Sequence, residues 1–253
     1  MRLVLSTHNA MTVSTGRDDK LPDMGALEAL GYFLCPVESL DVLYTNPYVA
    51  DANHALGEVA STGRYDVVVS GPDNFPVPGQ GVRAPIGPVV RNGRQDVVGS
   101  SSGRTRGSVV VLRDGTVVMG RSNGATLLDL ERRFGQPANP LVSALGGGAI
   151  LIENGNKVLE SDLVGRQMFV GSSVGFRAAS MQEGSHIIMG VRKGRAYAAW
   201  CTRKSGRDIQ GDFQRFGFGS LIKFAYGSGV FFDDQTRRVD GQSPAGFGIR
   251  KAR

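Results

Sequence analysis

Apolar residues fall in short runs separated by glycine-centred turns, a pattern that predicts many short strands and few helices. Leu3-Val4-Leu5 reads as a short first strand, and residues 6–24 are polar without a clear period. Between 51 and 61, Ala52, Ala55, Leu56 and Val59 recur at helical spacing and predict a helix ending before Gly63. Residues 65–69 follow as a strand rich in β-branched side chains. Two β-branched runs, 108–112 and 116–119, flank Asp114-Gly115, a strong hairpin signature with one apolar face. Residues 124–134 read as an amphipathic helix stopped by Gly135 and Pro137. Residues 149–152 lead into a turn at Glu153-Asn154-Gly155-Asn156, with Lys157-Val158-Leu159 continuing, again hairpin-like. Two further strands, 186–191 and 195–200, flank the basic turn Arg192-Lys193-Gly194. A helix over 208–216 precedes a strand over 220–225, onto which Val230-Phe231-Phe232 is expected to pair back. Everything after Gly241 reads as turn-like tail.

Composition narrows the class. The chain has 253 residues, 41% hydrophobic and 21% charged, which suits a folded globular protein and argues against disorder. Its 36 glycines are about twice the usual share of roughly 7%, scattered between apolar runs as tight turns require. No composition shift marks a boundary, so a single α+β domain over 1–253 is expected. Its core would lie at about 50–235, with a lead-in at 1–48 and a basic tail at 241–253. No apolar run is long enough to cross a bilayer, and Met1–His8 is too poor in apolar residues for a signal peptide. The expectation is a soluble protein, cytoplasmic or virion-associated. Cys35 and Cys201 are read as two free thiols, with a single disulfide between them as the alternative. The formal charge of +6 is carried mostly by arginine pairs spread over many turns. Either these are solvated surface, or some hold an anionic partner. No cluster is dense or aromatic-interleaved enough to predict nucleic-acid binding. His8, His54 and His186 have no metal-ligand spacing, so no metal is expected and no cofactor can be named.

Five glycine-centred segments recur in a fixed order: Ser70–Phe75, Pro85–Gly93, Leu112–Gly115, Gly146–Gly155 and Phe224–Gly229. Their order over about 50–235 resembles the phosphodiester glycosidase family. That family runs from a helix and strand into Asn-Gly-Gly-Phe/Tyr-Phe, matched here by Ser70-Gly71-Pro72-Asp73-Asn74-Phe75. A Pro-x-Gly-x-x-Val-x-Asp/Asn-Gly segment, an Arg with a strand–Asp-Gly–strand hairpin, and Gly-Gly-x-x-Leu-x-x-Asn/Asp-Gly follow. Here they are residues 85–93, 106–119 and 147–155. Arg177-Ala178-Ala179 stands loosely for Arg-Thr-Ala, and Ala225-Tyr226-Gly227-Ser228-Gly229 for Asp-Gly-Gly-x-Ser. The chain departs from the pattern at Ser70, in place of Asn, and at Ala225 or Tyr226, in place of Asp.

The resemblance implies a mixed, mainly antiparallel curved sheet with flanking helices, and hydrolysis of a phosphate-linked sugar. Such chemistry needs a bidentate anion clamp and a carboxylate that assists water. Arg106 and Arg177 are the candidate clamps and Asp73 the candidate acid/base; Ser70, Asn74 and Ser228 would hydrogen-bond hydroxyls or phosphate. Each also has a plain reading: Asp73 and Ser228 as turn residues, Arg106 and Arg177 as solvated charge. The missing Asp keeps a second class open, a non-catalytic carbohydrate-binding or assembly protein of the same fold, such as a phage tail or virion component.

Overall fold

The computed structural model describes residues 4–5, 24–44, 67–70, 89–97, 105–122, 126–165, 181, 183–224, 230–232, 236–237 and 245–251. Its first strands are β1 (Val4–Leu5), β2 (Tyr32–Tyr44), β3 (Val67–Ser70), β4 (Val89–Arg91), β5 (Arg94–Val97), β6 (Arg106–Leu112) and β7 (Thr116–Ser122). Then come β8 (Leu141–Glu153), β9 (Asn156–Lys157), β10 (Gly184–Arg192), β11 (Arg195–Lys204), β12 (Ser220–Phe224), β13 (Val230–Phe232), β14 (Thr236–Arg237) and β15 (Ala245–Lys251). The helices are α1 (Met24–Ala29), α2 (Leu127–Phe134), α3 (Glu160–Gly165) and α4 (Gly206–Arg215). The strands form one ladder in the order β1-β7-β6-β8-β12-β10-β11-β2-β15-β3-β13-β14, with β4 and β9 paired to β8 and β5 paired to β4. Among the described pairs β1–β7 alone is parallel, so the α+β, mainly antiparallel architecture expected from the sequence is the one found.

The Asp-Gly hairpin forms as expected: Val109 faces Met119, Val110 faces Val118 and Val111 faces Val117. Its outcome differs in one respect, since both faces are buried. Val109, Val111, Val117 and Met119 join the main core, while Val110, Leu112 and Val118 pack with Leu130 and Phe134 of α2. An unbroken β-branched run, unlike strict alternation, is what a strand covered on two sides requires. Helix α2 begins later than the apolar pattern suggests. Thr126 caps it by accepting from the Asp129 amide, and Gly135 ends it as expected. The Asn154-Gly155 turn is confirmed, with both residues at positive φ (51° and 76°), the conformation a two-residue hairpin needs.

Two long strands carry the ladder around corners. Up to Gly148, β8 pairs with β6; from Ala149 it pairs with β12, so the Gly146-Gly147-Gly148 run marks its passage from one layer to the next. Strand β2 pairs with β11 through Pro36, then with β15 from Val37 onward. The layer β7-β6-β8 packs on the layer β8-β12-β10-β11, where Met119, Ile150, Met189 and Ile222 share one core. Four expectations are corrected. The 1–48 lead-in contains β2, a 13-residue strand at the centre of the ladder. The tail after Gly241 contains β15, which lies between β2 and β3. Strand β13 pairs with β3 and β14, and not with β12. Val158 and Leu159 do not continue β9. The helix expected at 51–61 lies outside the described residues.

Helix α4 covers the outer face of the second layer through Ile209, Gln210 and Phe213. The buried Gln210 amide donates to the carbonyls of Leu151 and Val158, both at 2.8 Å, fixing the helix to β8 and the chain after β9. Phe213 stacks edge-on with Phe218 and Tyr32, at 4.8 and 5.0 Å between centroids. Gly190 is glycine because a Cβ there would lie 2.7 Å from the Phe218 ring.

A capping box starts α4: Ser205 accepts from the Asp208 amide, while the Ser205 hydroxyl and backbone N–H donate to the Asp208 carboxylate. Those donors hold the Asp208 carboxyl below its ordinary value near 3.8, the hydroxyl first and the amide next, against a smaller opposing effect of burial. A depressed folded-state pKa stabilises the fold above the unfolded value, and that contribution fades as pH falls through the folded value. Ser205→Ala is expected to cost about 1 kcal/mol at pH 7 in urea unfolding. The stability gap between wild type and Asp208→Asn should narrow as pH drops below about 4.

Candidate functional site

Four of the six candidate residues, Asp73, Asn74, Arg177 and Ser228, lie outside the described residues. Ser70 ends β3, where its backbone is in register with Gly246 of β15. Arg106 opens β6 opposite Ser122.

Strand register relates the positions these residues flank. Gly107, next to Arg106, pairs with Gly148 on β8. The following residue, Ala149, pairs with Lys223 on β12. Phe224, the last residue of β12, pairs with Ile187 near the start of β10. The start of β6, the glycine corner of β8, the end of β12 and the start of β10 are thus successive neighbours, each step being about 4.8 Å. The chain leaving β12 carries residues 225–229 and resumes in β13, whose Val230 faces Val69, next to Ser70. The path from Phe224 to Val230 spans at most about 21 Å, which bounds how far β13, and β3 beside it, lie from this corner.

At this end of β10, β11, β12 and β2, ionisable side chains gather on the face that α4 covers. Antiparallel partners share a face, so the pairs His186–Cys201 and Cys201–Tyr32 set three of them in one row. Lys223 faces the same way one row on, opposite Ile188, and is only 2% exposed. Tyr32 donates its hydroxyl to Asp212 Oδ2 at 2.7 Å, and Lys204 Nζ reaches the same oxygen at 3.2 Å. His186 Nε2 lies 2.7 Å from the Lys204 carbonyl; a carbonyl only accepts, so Nε2 carries the proton. Burial first, then the Asp212 carboxylate, drives the Tyr32 hydroxyl far above the ordinary tyrosine range. Tyr32 is therefore a neutral donor at any physiological pH.

Cys201 is a free, buried thiol. Burial pushes it up to about 12, although Lys204 and Lys223 both act in the opposite direction, so it is no nucleophile near neutral pH. Cys35 is in register with Ala198, three positions from Cys201. The sequence motifs single out none of His186, Tyr32, Lys204, Asp212 and Lys223. The one sequence signal for Lys223 was a lysine in the middle of an apolar run.

Elsewhere, Arg121 at the end of β7 clamps Glu153 through Nε at 2.7 Å and Asp162 through Nη1 at 2.8 Å. These groups line an open groove of about 580 Å³ and pin α3. No helix among the described residues is long and apolar enough to cross a membrane, and no group of metal-ligating side chains occurs among them.

No family model and no curated protein matches the sequence. Solved structures do resemble the fold. The catalytic domain of zebrafish N-acetylglucosamine-1-phosphodiester alpha-N-acetylglucosaminidase, auto-inhibited by its pro-peptide, superposes with a TM-score of 0.59 at 13% identity. That match covers 85% of this chain and 73% of the zebrafish chain. A Burkholderia pseudomallei protein classed provisionally as exported matches with a TM-score of 0.54 at 9% identity, covering 84% of this chain and 71% of its own. At these identities the likeness is one of fold, and the chain shares its architecture with a phosphodiester glycosidase domain.

Proposed function

We propose that the protein hydrolyses a phosphodiester-linked sugar. The observation that carries this reading is the shared architecture with the zebrafish catalytic domain, at 85% coverage of this chain. The meeting of β6, β8, β12 and β10 at one corner supports it, because these strand ends flank the motif segments that the sequence singles out. In the proposed reaction Arg106 and Arg177 clamp the phosphate oxygens. Asp73 takes a proton from water as its oxygen bonds to the anomeric carbon. The bond from that carbon to the phosphate oxygen breaks, and the phosphate monoester departs with the electron pair. Ser70, Asn74 and Ser228 hold hydroxyls or phosphate.

The test is release of free sugar from an N-acetylglucosamine-1-phosphodiester by purified protein, with Arg177→Ala and Asp73→Asn beside it. Turnover that falls at least about tenfold in both variants is expected. Absence of turnover by wild type, or variants that turn over as fast as wild type, refutes the reading. A second reading, a non-catalytic carbohydrate-binding protein of the same fold, is favoured by one observation: Ala225-Tyr226 stands where the resembled motif has its Asp. It predicts sugar binding without release.

A further inference from the structure

We propose that the open groove where β7, β8 and α3 meet binds an uncharged saccharide, at a place apart from the corner flanked by the motif segments. The inference does not depend on the hydrolase reading. Every residue that lines the groove lies among the described ones, and on β8 the groove is reached at Glu153, five residues beyond the Gly148 corner.

At about 580 Å³ the groove has a size common for sites that hold small ligands. Its floor is fixed. Arg121 is held by Glu153 at 2.7 Å and by Asp162 at 2.8 Å, which ties the end of β7 to the end of β8 and to α3. Val158 is buried; its amide donates to the Leu151 carbonyl at 3.0 Å and its carbonyl accepts from the Gln210 amide at 2.8 Å. The Asp162 and Leu163 amides both donate to the Leu159 carbonyl, closing the first turn of α3.

The rim is different. Asn156, Lys157, Leu159 and Ser161 are exposed side chains on this immobilised backbone. Among the described residues, the Lys157 ammonium and the Ser161 hydroxyl have no hydrogen-bond or ion-pair partner. The Asn156 side-chain nitrogen donates to the Asn154 carbonyl at 3.2 Å, which leaves its oxygen as an acceptor. Glu153 engages Arg121 through Oε2 and keeps Oε1. Donors and acceptors therefore share one depression whose backbone is already ordered, so a ligand has little left to organise.

Charge and shape select the ligand. Two cations, Arg121 and Lys157, stand beside two carboxylates, Glu153 and Asp162, so the lining carries no net formal charge. An anion loses to the carboxylates what it gains from the cations, and a cation fares no better. A polyol escapes this opposition because each hydroxyl both donates and accepts. Leu159, 72% exposed, adds an aliphatic surface for the C–H face of a sugar ring. A peptide fits less well. Extended peptides dock on a row of strand-edge backbone groups, and β9 offers two residues.

The experiment follows the amide signals of residues 156–162 in proton–nitrogen correlation spectra as maltose, mannobiose or diacetylchitobiose is added to roughly 10 mM, enough to fill a site of millimolar Kd. At least one disaccharide is expected to shift them, with an affinity that changes less than about twofold between ~0.05 and ~0.5 M salt. Glucose 1-phosphate and glucosamine should bind no tighter than glucose. Leu159→Ser should weaken the disaccharide at least about fivefold, and Lys157→Met about threefold or more. Both positions are exposed, and unchanged signals elsewhere verify the fold of each variant. The inference is overturned by any of three results: no disaccharide shifts the groove signals, a charged sugar binds at least about tenfold tighter with steep salt dependence, or both variants bind as well as wild type. Shifts caused by trialanine and by no sugar overturn it as well. Sugar release from the diester separates this site from the hydrolase reading. Disaccharide binding in the groove of a protein that releases no sugar sinks only the hydrolase reading. Release by a protein whose groove signals no sugar shifts sinks only the groove.

Discussion

Phe213→Ala should lower stability by about 3–5 kcal/mol, the largest effect of any single truncation on the outer face of the second layer. Phe213 is 1% exposed and sits between Tyr32 and Phe218, with a third ring, Tyr197, 5.6 Å beyond Phe218. Removing it takes away the transfer energy of a full aromatic side chain and leaves a void that backbone cannot fill, because β10, β11 and β2 are tied in register beneath it. For a chain near this size each kcal/mol moves the midpoint by about 2–4 °C, so calorimetry should show a drop on the order of 10 °C. A change under about 1 kcal/mol would mean that α4 is not seated on the sheet as described.

Asp212→Ala is expected to cost about 2 kcal/mol, since it strands two donors at once: the Tyr32 hydroxyl and the Lys204 ammonium. The groups are about one-fifth exposed, so water recovers part of the loss and the figure stays below that of a fully buried pair. Asp212→Asn keeps one acceptor oxygen and should lose less. A double-mutant cycle with Tyr32→Phe isolates the hydroxyl's share. Additive losses in that cycle would show that Tyr32 and Asp212 do not act together, and would remove the bridge between β2 and α4.

Local signals in this chain were readable wherever one short stretch sufficed. Asn154-Gly155 announced a two-residue turn with both residues at positive φ, and Asp114-Gly115 a three-residue one that needs positive φ only at Gly115, and the β-branched runs beside the latter have few alternatives. Strand β2 escaped notice for a physical reason. Pro36 and the charges Glu38 and Asp41 break its pattern, yet Pro36 falls where β2 leaves β11 and turns to β15, a position that does not need its missing donor for an unbroken ladder. Strand β15 is alternately glycine and apolar, so its propensity is low, and it exists because β2 and β3 flank it on both sides. Val230–Phe232 was recognisable as a strand, but nothing local states which strand it joins. The candidate site divides in the same way. Arg106 and Ser70 belong to turn-flanked segments that a motif can describe. Lys223, His186 and Tyr32 come together through cross-strand register, and Asp212 joins them through the packing of α4, 180 positions from Tyr32.

The placement of β15 has a consequence for how the protein is made. Strands β2 and β3 cannot sit side by side in their final arrangement until residues 245–251 have been inserted between them. During synthesis both emerge from the ribosome with open edges, and they must wait until residues 245–251 have followed. Contacts of such sequence separation form slowly, and unpaired edges invite association with other chains in the interval. A nascent chain stalled before residue 245 should thus need a chaperone, while the hairpin of β6 and β7 can form as soon as it is exposed.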